Sequence, residues 1–297
     1  MFGTVTLGVM SSAREKFHQL HPREYENFTY AYPVLSRRSG GISIGVNLNQ
    51  DKICNFDCPY CQVDRSKPGR EQILDLPRIR EEVEVLLNAV DEQGVCRLSL
   101  FDAVPDADKK LRDVALSGDG EPTMVPEFAD ICALLHEVQS ERAVLDYKLV
   151  LITNATLLDR PRVQAGVEAL LAGRGELWAK LDAGTEAWYQ KVNVSRISLD
   201  RIESNLVNLG QTYPFKVQSF FCRIAGEGWD EAEIEAYLQR LKRIRESGAR
   251  ILEVQLYTLA RKPSDVHVTA VEREFLEAMC VQVESLGIPA RVYGDDV

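Results

Sequence analysis

At 297 residues, with hydrophobic side chains at 45% and charged ones at 27%, the chain has ordinary globular composition, which excludes a collagenous, coiled-coil or mainly disordered protein. Its 35 lysines and arginines stand against 45 aspartates and glutamates, a formal net charge of −10, so no global positive field steers it to nucleic acid or to an anionic membrane. No uncharged apolar run approaches the roughly 18 residues that a bilayer span needs.

The uncharged stretch from Met1 to Ala13 has no basic residue ahead of a centre broken by Gly and Thr. It makes a poor signal peptide, and a cytoplasmic chain is expected. An odd count of seven cysteines in that setting points to ligands, a nucleophile or core thiols and away from a disulfide scaffold.

In chain order, residues 1–40 read as an N-terminal arm with a basic pair, Arg37-Arg38. Ile42 to Leu48 reads as a first strand that runs into a cysteine-rich loop and then Lys67-Pro68-Gly69. Ile79, Val83, Leu86, Leu87 and Val90 recur at helical spacing. Residues 94–110 interrupt the pattern as an excursion around Val104-Pro105-Asp106. Short β-branched or apolar runs follow at Val114–Ser117, Leu149–Thr153, Leu177–Leu181, Val217–Ile224, Ile251–Tyr257 and Ala290–Tyr293. Between them lie helical patterns through Phe128, Ile131 and Leu135, near 161–172, near 199–210, through Ile234, Tyr237 and Leu241, and through Val271, Phe275 and Met279. Strand and helix alternate throughout, which predicts parallel strands joined by helical crossovers. The expected fold is α/β, an incomplete (βα)6 TIM-like barrel over 41–265, with a helix–strand extension at 266–297 packed on it.

The chemistry-bearing motif is Cys54-Asn55-Phe56-Asp57-Cys58-Pro59-Tyr60-Cys61, directly after the first predicted strand. Three thiolates in so short a loop can ligate one metal centre, and thiolates suit zinc or iron–sulfur. A closed four-iron cluster takes four cysteines, so three leave one iron open to activate something else. Two other readings stand beside this one. A structural zinc needs a fourth ligand, and Cys96 and His136 are distant in sequence. Cys58-Pro59-Tyr60-Cys61 alone matches the dithiol of glutaredoxin-like thiol redox proteins, which need neither Cys54 nor a long βα series.

The spacing of Cys54, Cys58 and Cys61, with Tyr60 as the aromatic before the last, resembles the signature of the radical S-adenosylmethionine (radical SAM) superfamily. That resemblance implies a radical SAM partial barrel, a [4Fe-4S] cluster on the three cysteines, and S-adenosyl-L-methionine chelating the fourth iron. Tyr60 then counts among the cofactor-binding positions. Ser117-Gly118-Asp119-Gly120-Glu121-Pro122-Thr123, after the second strand, is similar to the Gly-Gly-Glu-Pro element that receives the methionine ammonium. It assigns Gly118, Gly120, Glu121 and Pro122 to the cofactor, with Asp119 a departure from the commonest form. Glycines let a strand end bring its carbonyls close to a ligand; an acidic turn is the plain alternative.

Thr153 and Asn154, closing the next strand, suit the cofactor ribose, although both residue types also form turns and caps. Lys180 shares one strand face with Trp178 and Asp182 by the period of two, and either pairs with Asp182 or meets a ligand. Ser219, Arg223, Gln255 and Tyr257 are polar groups on late strands, of which Ser219 is taken as cofactor-binding. Arg261-Lys262-Pro263 lies on the rim where barrel sites are built.

Within the superfamily the chain most resembles the branch that includes wyosine-type tRNA-modifying enzymes, through Arg37-Arg38, Gly45 to Leu48, Trp178 to Gly184 and Gln255 to Thr258. Those enzymes carry further cysteines ahead of the main motif, whereas no cysteine precedes Cys54 here. One cluster is therefore expected, with Cys96, Cys132, Cys222 and Cys280 in the core. The resemblance further implies reductive cleavage of the cofactor to a 5′-deoxyadenosyl radical that takes hydrogen from an RNA, protein or small-molecule substrate. It also implies a low-potential electron donor of the ferredoxin or flavodoxin type.

Overall fold

The computed structural model describes residues 25–70 and 74–294. The segment Met1 to Ala13, and most of the arm, lie outside the described residues. Strand β1 (Ala31–Ser36) forms an antiparallel hairpin with β2 (Gly41–Val46), Ala31 opposite Val46. From β2 onward the sheet is parallel: β3 (Leu111–Leu116), β4 (Lys148–Thr153), β5 (Gly175–Lys180), β6 (Phe215–Phe220), β8 (Ile251–Tyr257) and β10 (Ala290–Tyr293) follow in spatial order. The result is a curled, eight-stranded partial barrel, with β1 at one edge and β10 at the other.

Each crossover carries a helix, as parallel pairing requires. These are α1 (Leu76–Asn88), α2 (Phe128–Glu141), α3 (Pro161–Leu171), α4 (Glu186–Val192) with α5 (Leu199–Thr212), α6 (Glu231–Glu246) and α7 (Arg273–Ser285). Their starts are set by side chains that satisfy free amides. Asp75 accepts from the Arg78 amide at α1, Ser198 from Arg201 at α5, and Asp230 from Glu233 at α6. The excursion at 94–110 holds two short 3-10 turns, Ser99–Phe101 and Asp106–Asp108. Among the described residues no helix is long and apolar enough to cross a membrane.

Every strand read from the sequence is present, with two differences. The expected run Val217–Ile224 breaks after Phe220: β7 (Cys222–Ile224) leaves the barrel and pairs antiparallel with β9 (Val268–Ala270). β1 carries Pro33 at its centre, which obscured it as a strand. A proline is tolerated here because β1 is an edge. The seven-residue α4 is too short for a periodic signal, although its Thr185 cap accepts from the Trp188 amide.

The period of two separates the two faces of the sheet. Val114, Leu116, Leu149, Leu151, Leu177 and Ala179 belong to the main core under the helices, whereas Ala115, Val150 and Trp178 form a separate buried cluster with Ile152. That second cluster is the concave, inner face. Lys180 shares its parity in β5, and Gln218 and Phe220 continue the inner face into β6.

Glu82 on α1 ties the chain entering β1 to the helix layer. Its carboxylate accepts from the amides of Thr29 (2.7 Å), Tyr30 (2.7 Å) and Ala31 (3.0 Å) and from Arg78 Nε (2.9 Å). Burial alone would raise its pKa, but these donors outweigh burial and hold the carboxyl below the usual range. Because the folded pKa is depressed, its contribution is present above the ordinary glutamate range and is lost as pH falls through it. Glu82→Ala strands three amides and is expected to cost about 2–4 kcal/mol in chemical denaturation at neutral pH. Its deficit against the wild type should shrink on acidification below about pH 4.

Candidate functional site

The loop after β2 carries Cys54, Cys58 and Cys61 to the C-terminal ends of the strands, where barrel sites form. All three thiols line a cavity of ≈ 280 Å³ that reaches down the concave face, as do Tyr60, Gly118, Gly120, Glu121, Thr153, Asn154 and Lys180. The sequence-derived candidates thus converge, apart from two. Pro122 is buried at the start of a 3-10 turn, Pro122–Met124, behind the wall. Ser219 faces the other way: its hydroxyl donates to Leu181 O (2.8 Å) and pairs with the Tyr237 hydroxyl of α6 (2.6 Å). Odd-numbered positions of β6 point to the helices, which is why it misses the cavity.

The two glycines are needed for a close approach. A Cβ on Gly118 would stand 2.3 Å from Asn47 Oδ1, and one on Gly120 would stand 2.1 Å from Ile53 O. They let the loop after β3 lie directly against the cysteine loop, where Asn47 joins the two by donating to Asp119 Oδ2 (2.8 Å) and accepting from the Asp119 amide (3.1 Å).

Glu121 acts as a clasp between β3 and β4. Its Oε1 accepts from the Thr153 and Thr123 hydroxyls (2.6 Å each), and its Oε2 accepts from the Asn154 amide (2.7 Å). Burial raises its pKa against the pull of these donors. Of the two oxygens, Oε2 keeps the spare lone pair. Asn154 Nδ2 in turn donates to Asn55 Oδ1 (2.6 Å) and approaches Cys54 Sγ (3.9 Å).

Each of two thiols has an amide aimed at its sulfur. The Phe56 amide reaches Cys54 Sγ at 3.4 Å, and Asn193 Nδ2 reaches Cys58 Sγ at 3.5 Å. Burial pushes the Cys54 thiol up to about 11 and the Cys58 thiol up to about 12. A disulfide exchanger needs the opposite shift. Among the described residues no three or more Cys, His, Asp or Glu side chains gather into a group that could hold a single metal ion. All three thiols line the one cavity, and a four-iron cluster takes its cysteines one to each iron. The soft donor set, the amides aimed at sulfur and the glycine cradle fit such a group. The remaining cysteines, Cys96, Cys132 and Cys222, are buried in the core, and Cys280 is half-buried.

Below the cysteine loop lies a buried polar network. Asp182 accepts from Tyr60 Oη (2.5 Å), Asn193 Nδ2 (2.8 Å) and the Phe220 amide (2.9 Å). Lys180 Nζ donates to Tyr60 Oη (2.9 Å) and Tyr257 Oη (3.2 Å) and stands 3.7 Å from Asp182 Oδ2. Burial works to lower the Lys180 pKa, but Asp182 and its other neighbours raise it far above the ordinary value, so it is a fixed cation. The Tyr60 ring stacks on Phe220 with centroids 3.9 Å apart. Asn193 was not readable from sequence: it follows the short α4 and precedes Val194, whose φ of 46° is unusual for a β-branched residue. That turn presents the Asn193 carbonyl to the Asp57 amide (3.0 Å). Arg223 lies away from the cavity and pairs with Glu272 (2.8 Å), whereas Tyr257 and Arg261 line it.

Comparison with known proteins gives the chain's family and fold. The sequence profile of the Radical SAM superfamily matches residues 52–241. The UPF0026 protein of Helicobacter pylori is 26% identical over 267 residues, covering 86% of this chain and 76% of that protein. In fold, the chain is similar to a radical SAM methyltransferase from Sphaerobacter thermophilus, with TM-score 0.60, 15% identity and coverage of 88% of this chain and 68% of the other. It is also similar to TYW1 solved with a lysine–pyruvate adduct, with TM-score 0.50, 16% identity and coverage of 83% and 74%.

Glu121→Gln converts one acceptor oxygen into a donor that meets other donors. It should cost about 2–3 kcal/mol in thermal or chemical unfolding, whereas Thr153→Val, which removes one hydroxyl, should cost about 1 kcal/mol.

Proposed function

Because the chain belongs to the radical SAM superfamily, whose members are enzymes using a [4Fe-4S] cluster and S-adenosylmethionine, we propose that Cys54, Cys58 and Cys61 hold the cluster and leave one iron open to the cofactor in the adjoining cavity. The observation that carries this is the meeting of the three thiols, the Gly118–Gly120 cradle and the Thr153–Asn154 strand end on one cavity. When bound, cluster and cofactor supply an electron to the sulfonium and, on its cleavage, a 5′-deoxyadenosyl radical able to take a hydrogen atom from a substrate.

This chain's residues do the positioning. The carbonyls beside Gly118 and Gly120, with Glu121 Oε2, receive the methionine ammonium. Thr153 lends its hydroxyl to the β3–β4 clasp, so its part is to hold that receiving loop in place. Asn154, oriented by its hydrogen bond to Asn55 Oδ1, faces the ribose. Tyr60, fixed by Asp182 and stacked on Phe220, forms the wall against which the cofactor lies. Lys180, hydrogen-bonded to two tyrosines, stays protonated and keeps a positive potential on the floor. The apolar cluster of Ala115, Val150, Ile152 and Trp178 excludes water beneath, where a reactive carbon radical needs a dry pocket.

Cys54 and Cys61 are only partly buried, so a low-potential donor of the ferredoxin or flavodoxin type approaches from this side. Free cysteines suit a cytoplasmic setting.

Protein purified without oxygen should be brown, contain iron, and form 5′-deoxyadenosine when reduced in the presence of S-adenosylmethionine. Cys54→Ala should lose at least 100-fold of that product, an order-of-magnitude expectation for removing one of three ligands. A colourless zinc protein, or full activity in Cys54→Ala, would refute the assignment. Asn193→Leu removes the amide on Cys58 and should move the cluster midpoint to a more negative potential in a spectroscopically monitored redox titration; an unchanged midpoint would remove that role from Asn193.

A further inference from the structure

Arg38 sits at the tip of the β1–β2 hairpin and reaches into the cavity. Its guanidinium carbon stands 5.9 Å from the Trp178 ring centroid and 5.1 Å from that of Tyr257. No carboxylate among the described residues lies within ion-pair distance of it. Asp113, an acid whose charge bears on it, is engaged with the Ser43 hydroxyl. An arginine held by ring faces keeps its planar fork of N–H donors available, and that fork matches a carboxylate or a phosphate. Lys180 approaches the same Tyr257 ring from 5.9 Å. The cavity floor is therefore cationic in a chain whose net charge is −10.

A second feature of the same cavity points to a ligand. Gln218 is fully buried and lines the cavity; its Nε2 donates to Gln255 Oε1 at 2.9 Å, which leaves its own Oε1, and Gln255 Nε2 behind it, without a partner. A buried acceptor without a donor is costly, and a bound donor relieves that cost. A cation seated on aromatic faces and an unpaired acceptor, both on the lining of one cavity, select a molecule that carries an anionic group and a hydrogen-bond donor.

We propose that the cavity takes a substrate whose anionic group, carboxylate or phosphate, seats on the Arg38 guanidinium while a hydroxyl or amine of the same molecule meets Gln218 Oε1. This rests on the enzyme reading above and narrows its substrate to a small molecule that carries such an anionic group. Arg38 is then a specificity-determining residue contributed by the hairpin, outside the cysteine motif.

The test is isothermal titration calorimetry on the anaerobically purified holoenzyme with glycolate and with inorganic phosphate, the two sources of the charge, and with glycerol as neutral control. Saturable binding of one anion, weakened about tenfold or more by Arg38→Gln and absent for glycerol, supports the proposal. The better of the two anions identifies the group. Arg38→Lys, which keeps the charge and loses the fork, covers the case in which Arg38→Gln does not fold, and should weaken binding several-fold. Failure of both anions to bind, equal affinity in the variants, or complete displacement of the anion by S-adenosylmethionine would overturn it, the last because the site would then be the cofactor's own. Formation of 5′-deoxyadenosine by the wild type is read separately, so its failure would strike the enzyme reading and leave the anion result to stand or fall alone.

Discussion

Asp182 has no exposed side-chain surface, and a carboxylate without water has to find donors. It finds them on three separate pieces of chain: Tyr60 in the cysteine loop, Asn193 after α4, and the Phe220 amide at the end of β6. The arrangement of the barrel mouth follows from this. Tyr60 is drawn down onto Phe220, which holds the cysteine loop over the strand ends. Asn193 is held where its amide reaches Cys58. Lys180 is placed to balance the charge. Removing the acid would leave several buried donors unmet and free the loop that bears the thiols.

A second carboxylate does the same work on the other side of the cavity. Glu121 joins β3 to β4 through the Thr153 hydroxyl and the Asn154 amide, and the glycines before it let its loop touch the cysteine loop at Ile53 and Asn47. The cysteine loop is therefore gripped from both sides by buried acids whose demands are met within the protein. The cavity between them is preorganised, which is the condition for holding a reactive centre in one geometry.

Periodicity made the parallel strands and most helices readable, because the two faces of each strand and helix differ in polarity. What escaped had local causes. Pro33 masked an edge strand, α4 is shorter than two helical periods, and the run from Val217 to Ile224 hid a change of sheet at Phe221. At the site, the cysteine spacing, the glycines, Glu121, Asn154 and Lys180 were legible because each sits in a motif or at a strand end. Ser219 was misplaced by one step of strand parity. Asn193 and Gln218 could not be found that way, because their surroundings come from Cys58 and Gln255, far off in the chain; Arg38 was visible only as half of a basic pair, and its seat on Trp178 was not.

The account stands on three thiolates that leave a fourth iron open. Mössbauer spectroscopy of the iron-57-enriched protein, recorded with and without S-adenosylmethionine, reports on each iron of the cluster. The account predicts a single distinct iron, about one quarter of the signal of a [4Fe-4S] centre, whose parameters change when the cofactor is added. Four equivalent irons indifferent to the cofactor would contradict it.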